Sequence, residues 1–274
     1  MIGRKLDAMP WAETAVLVGI WLALAAFVVP RMLIGPSAEA LGAGRAYTDI
    51  GNAFEKAAEV ARYADLRLVR AVAGNPLPEP PRIHGDVVAA RVAWGYAIVA
   101  TVLFGVIAVA VSRQSPARFV ALTGLNRFDF DRLWIPGLAV AVVYLGVGLY
   151  TRAVHAFGIE VLQTEPGGFE VTARDTLALA LYGLTTVVAA PFGEELFYRA
   201  LVFGGLSQWG FVPAALVSSV LFALSHLDAA MIIPFSIAGL AMCWLYWRSG
   251  SLWDAIAFHV LFNLLSFILL LARI

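Results

Sequence analysis

Cysteine is nearly absent from this 274-residue chain, which has one, Cys243. A single thiol excludes an internal disulfide and any cysteine-built zinc site. Its place inside an apolar run points to packing. Charge is also scarce. Only 14% of the residues are Asp, Glu, Lys or Arg, and they cancel to a formal net charge of zero, where soluble domains carry roughly 25% charged residues. No basic excess is left for a nucleic-acid face. Several catalytic signatures are missing too. There is no H-E-x-x-H for a zincin-type metalloprotease and no G-x-S-x-G for a serine nucleophile elbow. Asp228 and Asp254 sit near span ends without a paired-aspartate motif. No internal repeat suggests a transporter.

What is present is apolar: 61% of the residues are hydrophobic. Crossing a hydrocarbon core takes about 20 mostly apolar residues. Runs of that order fall at Trp11–Ile34, Val87–Val111, Leu133–Phe157, Thr176–Leu206, Phe211–Leu227, Ala230–Trp247 and Leu252–Leu271. The expected fold is all-α, a polytopic transmembrane helix bundle with about 7–8 spans. The eighth would arise if the fourth run broke at Pro191–Gly193, where proline removes a backbone donor. The first run is longer than a signal-peptide core of about 7–15 residues, which favours an uncleaved anchor over a cleaved leader.

Three regions follow. Residues 1–34 read as an N-terminal transmembrane anchor. Residues 35–86 read as an extramembrane insert, rich in charge of both signs. Within it Ile50, Phe54, Ala57, Ala61, Ala64, Leu68 and Val72 recur at helical spacing, so the insert carries an amphipathic helix over about 47–72 that ends at Gly74 and the prolines beyond. Residues 87–274 read as the membrane core. Arginine is concentrated between the second and third runs, at Arg113, Arg118, Arg127 and Arg132, while the 158–175 stretch is acidic. With seven spans this places the N-terminus in the cytoplasm. The setting is a multi-pass protein of the cell membrane, a bacterial inner membrane, with the lipid bilayer as its first partner.

Ionisable residues at mid-membrane cost about 2.5–3.5 kcal/mol on insertion scales, so they face a protein interior, pair, or line a wet cavity. Three clusters stand out. In "EELFYR", Glu195 and Arg199 are four apart and share a helix face, the spacing of a structural ion pair. Glu194 points about 100° away with Tyr198 as its i+4 neighbour, so it is left unpaired within its helix, which suits a general base. The plain alternative is a polar clamp between helices. In "FALSH", His226 taken alone reads as a packed or interfacial histidine. In "HVLFN", His259 and Asn263 are four apart, either as an interhelical hydrogen-bond pair or as two donors aimed at a developing oxyanion.

Two chemistries fit. One is a zinc site with Glu194, His226 and His259 as ligands. The other needs no cofactor: Glu194 and His226 activate a water, and His259 with Asn263 holds the oxyanion. Asn263 is a poor zinc ligand and a good amide donor, which favours the second.

In order and spacing, the three clusters resemble the CPBP family of intramembrane endopeptidases, which includes the CAAX prenyl proteases and the Abi proteins linked to bacteriocin processing and self-immunity. The family pattern is E-E-x-x-x-R, then F-x-x-x-H, then H-x-x-x-N/D, and the resemblance covers about residues 175–271. It implies a helical membrane fold with a polar cavity and glutamate-dependent hydrolysis of a peptide bond in a membrane-associated substrate. Carried over, Glu194 is the base, His226 positions the water, His259 and Asn263 hold the oxyanion, and Glu195 and Arg199 support the site. Zinc dependence stays open under this resemblance. So does a non-catalytic scaffold or immunity role.

Overall fold

A computed structural model describes residues 87–163, 175–226 and 229–272, together with Trp11, Leu66, 69–70 and 73–76. The described residues are helical, with no strand among them. Apart from Trp11, the expected anchor lies outside the described residues, as does most of the insert. At its end Gly74 takes the left-handed conformation (φ 67°), and Asn75 N–H donates to Arg70 O at 2.9 Å. That is a glycine-stopped helix terminus.

Helix α1 (Val87–Ser112) turns by 100° into the short α2 (Pro116–Thr123). Local chemistry makes the corner. Arg113 has φ 54°, Ser115 caps α2 by accepting from Arg118 N–H, and Pro116 opens the new helix with φ already set. Gly124, at φ 69°, ends it. Helix α3 (Trp134–Ala156) follows a 3-10 turn at Phe130–Arg132. The long helix α4 (Thr176–Trp209) is capped by Asp175, whose carboxylate accepts from Ala178 N–H at 2.8 Å. Then come α5 (Phe211–Leu224), α6 (Ile232–Ser249) and α7 (Leu252–Leu271).

The break at Pro191–Gly193 that an eighth span would need does not form. Helix α4 runs through it, widened into π-helical turns at Leu184–Ala189 and Glu195–Phe203. A proline clashes with the carbonyl four residues earlier, and the wider turn before Pro191 relieves that clash. Wide turns also leave carbonyls for outside donors. Asn263 donates to Thr186 O, Ser218 to Tyr198 O, and the Trp11 indole to Ala200 O and Leu201 O. The π-turns therefore tie α5, α7 and the Trp11 indole to α4.

Among the described residues three to four spans are found, so seven to eight are not confirmed. Three described helices are long and apolar enough to cross a membrane: Phe130–Ala156, Thr176–Trp209 and Leu252–Leu271. The bent α1–α2 pair makes up to four. Helix α5 has 14 residues, about 21 Å at 1.5 Å per residue, short of a hydrocarbon core of about 30 Å. Its stop is explicit. Ser225 Oγ and His226 Nδ1 both bond Phe222 O, at 2.7 and 2.8 Å, while His226 N–H tightens onto Ala223 O. The carbonyl that would carry the helix onward is already taken.

Phe197, Tyr198, Leu201, Phe203, Leu245, Tyr246 and Phe258 form the core centred on α4, α6 and α7. The outer faces of α1 and α3 expose Val99, Val102, Leu103 and Val106, and Leu138, Val142, Leu145 and Leu149. Such stripes are a liability in water and match lipid tails. The chain is a membrane protein. Glycine sets two close approaches. A Cβ on Gly193 would lie 1.9 Å from Thr101 O on α1, and one on Gly239 would lie 2.8 Å from Ser219 Cβ on α5.

Candidate active site

The six polar residues singled out in the sequence fall on α4, α7 and the end of α5. Glu195 and Arg199 are both fully buried on α4, with Arg199 Nη1 donating to Glu195 Oε1 at 2.9 Å. The same carboxylate oxygen is 2.8 Å from His259 Nδ1 on α7. A carboxylate only accepts, so Nδ1 carries the proton and Nε2 points onward. His259 Nε2 lies 4.0 Å from Glu194 Oε2. That oxygen and Glu195 Oε2 have no hydrogen-bond partner among the described residues, and neither have Arg199 Nε and Nη2.

Burial separates the two glutamates. The Glu195 side chain is 0% exposed and that of Glu194 13%. One helical step swings Glu194 off the ion-paired face. A buried carboxylate with an Arg partner on one side and an imidazole on the other is held in place, and removing one partner of such a pair is costly. Glu194 is the less buried of the two, although its Oε2 is itself covered.

His226 is brought to the same place through a ring. Phe222 packs against His226 (centroids 4.9 Å) and against His259 (5.7 Å, T-shaped), and Arg199 lies over its face at 4.4 Å. The guanidinium–ring contact partly offsets the burial of a charge with two free donors. With Nδ1 bonded to Phe222 O, His226 keeps Nε2 free as an acceptor when neutral. The ring is exposed and also meets Phe235 at 4.4 Å.

Asn263 uses one of its donors on α4. Its Nδ2 donates to Thr186 O in the first π-turn at 2.7 Å. A carbonyl cannot donate, so this bond fixes which amide atom faces α4 and leaves one N–H and the amide oxygen. Two participants had a sequence signal but no assigned role: Phe222, the first letter of F-x-x-x-H, and Gly193, just before the glutamates. Thr186 had no signal, because the carbonyl it offers depends on the π-turn. Among the described residues, no group of three or more His, Cys, Asp or Glu gathers closely enough to hold a metal ion.

A network of one free carboxylate, two imidazoles and a locked ion pair, in a membrane helix bundle, suits acid–base chemistry on a small nucleophile. The comparisons with known proteins point the same way. Residues 176–265 match the family described as type II CAAX prenyl endopeptidase Rce1-like, which bears out the family resemblance of the three motifs. The chain is 26% identical over 137 residues to a Bacillus subtilis (strain 168) protein named "Putative membrane peptidase YdiL". That alignment covers 49% of this chain and 50% of the relative, so the chain spans about half the length of the relative it matches. No solved structure matches the chain.

Proposed function

We propose that this chain, whose residues 176–265 are of the Rce1-like CAAX endopeptidase family, is a multi-pass endopeptidase of the cell membrane, a bacterial inner membrane, that hydrolyses a peptide bond in a membrane-associated substrate. Residues 87–274 form the peptidase core, residues 1–34 anchor it, and residues 35–86 are an extramembrane insert. The observation that carries the reading is the 4.0 Å gap between Glu194 Oε2 and His259 Nε2. It is too long for a direct hydrogen bond and the right width for one oxygen atom at about 2.8 Å from each.

In this reading Glu194 takes a proton from a water while His226 Nε2 aligns it. The water oxygen bonds to the peptide carbonyl carbon, and the carbonyl becomes an oxyanion. His259 Nε2–H and the remaining Asn263 N–H face that charge. Glu195, itself paired with Arg199, accepts from His259 Nδ1–H and fixes the ring toward that charge. The C–N bond then breaks, Glu194 returns its proton to the leaving nitrogen, and the products are a carboxylate and an amine.

Zinc on Glu194, His226 and His259 is the alternative reading: Nδ1 of both histidines is engaged by an oxygen, which leaves each Nε2 as the atom that would coordinate, although among the described residues the three groups do not gather closely enough to hold an ion as they stand. The test of function is a comparison of peptide termini in cells carrying wild-type protein and Glu194→Gln. Termini that vanish with the variant at equal protein abundance support hydrolysis. An unchanged set leaves a scaffold or immunity role, in which the motifs serve packing.

A further inference from the structure

Away from the catalytic network, the end of the bundle where α2 meets the α6–α7 turn carries a cluster of cations, of which Arg132 alone has a carboxylate partner among the described residues. Arg113, Arg118, Arg127, Arg132 and Arg248 are all exposed there. Arg132 pairs with Asp129 at 2.9 Å. Arg248 lies over Trp244 at 5.5 Å, a ring rather than a carboxylate. Asp131 is exposed and Asp254 is buried, with its Oδ2 unpartnered, so among the described residues five arginines face three aspartates around this end.

The Arg127–Arg248 locus is built rather than loose. Trp253 Nε1 donates to Leu125 O at 2.6 Å, and Ser251 Oγ donates to Arg127 O at 3.0 Å and to Gly124 O at 3.3 Å. Phe128 packs edge-on to Trp253 at 5.3 Å. Two left-handed glycines cross here, since a Cβ on Gly124 would lie 2.0 Å from Gly250 O. Arg127 Nη1 is 3.5 Å from where a Cβ on Gly250 would sit, two residues beyond Arg248. The clasp therefore holds Arg127 over the turn that Arg248 leads into.

The surroundings select the ligand. Phe128, Phe130, Trp134 and Trp244 expose 55%, 75%, 66% and 46% of their surface. Exposed aromatics of this kind sit at headgroup depth in a bilayer, and α2, turned 100° from α1, lies across the bundle axis rather than along it. A ligand that satisfies both the guanidiniums and the rings has a phosphate beside acyl chains. We infer that Arg127 and Arg248, on the clasped α2–α3 and α6–α7 turns, form a binding site for the phosphate headgroup of an anionic phospholipid. Juxtamembrane arginines attract such lipids, and guanidinium forks match phosphate oxygens. The inference needs only the membrane setting and is independent of the peptidase reading.

The test uses the full chain in nanodiscs of phosphatidylcholine with trace spin-labelled phosphatidylglycerol or phosphatidylcholine, and measures the fraction of each label immobilised by the protein. Wild type should enrich phosphatidylglycerol roughly fivefold or more. That preference should collapse in 1 M NaCl, where screening acts within about 3 Å. Arg127→Gln/Arg248→Gln should lose it while Arg113→Gln/Arg118→Gln keeps most of it. Equal immobilisation of both labels by wild type overturns the site, and so does a preference that survives the Arg127→Gln/Arg248→Gln change. Full competition by 10 mM inorganic phosphate assigns the site to a free anion and overturns the lipid. Should the double variant fail to fold, the wild-type preference and its salt dependence decide.

Discussion

Gly193 places the strictest steric demand on the site. A methyl group there would sit 1.9 Å from Thr101 O and 2.6 Å from Thr101 C, in backbone that cannot rotate away. To bring that contact to 3.0 Å, α1 and α4 must part by about 1.1 Å. Glu194 is the next residue and moves with the backbone. Overpacking of this kind costs about 1–3 kcal/mol, which lowers the melting temperature by roughly 2–12 °C for a chain of this size. A misplacement of about 1 Å at a catalytic group costs on the order of 100-fold in rate. Gly193→Ala should therefore be less stable by differential scanning fluorimetry in detergent, and should lose most Glu194-dependent peptide termini in cells. Gly146→Ala is the control. No atom lies within 4 Å of its added methyl, and alanine favours a helix over glycine by about 1 kcal/mol, so stability should hold or rise. If Gly193→Ala melts and processes as wild type does, the close α1–α4 crossing is not what positions the glutamate.

Arg199→Met strands the buried Glu195 carboxylate and should cost about 3–5 kcal/mol, read as lower abundance and melting temperature. Glu195→Gln added to it should recover part of that loss, because the stranded charge is gone. Just before α4, Asp175 is gripped by the Arg91 fork, with Arg91 Nε to Asp175 Oδ1 at 2.8 Å. The Arg91 hydrogen bonds hold the Asp175 carboxyl below its ordinary value, down to about 2. The folded value is the lower one, so this stability is present above about pH 4 and fades as pH falls toward about 2. Melting temperatures recorded across pH 5 to 2 should fall less steeply in Asp175→Asn than in wild type; parallel curves refute the linkage. Treating the purified protein with a strong chelator should leave peptide cleavage intact, and loss restored by added zinc would reinstate the metal reading.

Much of the site was legible because it is local. The i, i+4 spacing that put Glu195 beside Arg199 and turned Glu194 away survives the π-turn, with the ion pair at 2.9 Å. The convergence of three motifs on neighbouring helices followed from the cost of polar groups in lipid. What stayed hidden depends on tertiary geometry. Nothing in "LTTVVAAPFG" says that Pro191 is absorbed by a widened turn rather than a break, yet that turn exposes the carbonyl that takes Asn263. Helix α5 read as a full span because its composition is apolar. Its length is set instead by Ser225 and His226 competing for one carbonyl. Trp11 was read as the start of a span, and its bonds to α4 rest on carbonyls that only the π-turn provides.

The central claim concerns proton transfer at one carboxylate, and Glu194→Gln isolates it because the amide keeps the size and removes the base. The measurement is quantitative mass spectrometry of peptide termini from membranes holding equal amounts of wild type and variant, with melting temperatures taken on the same preparations. Protein that melts as wild type does while the dependent termini fall by at least 100-fold is the predicted result. A stable variant that still generates those termini at the wild-type level contradicts it.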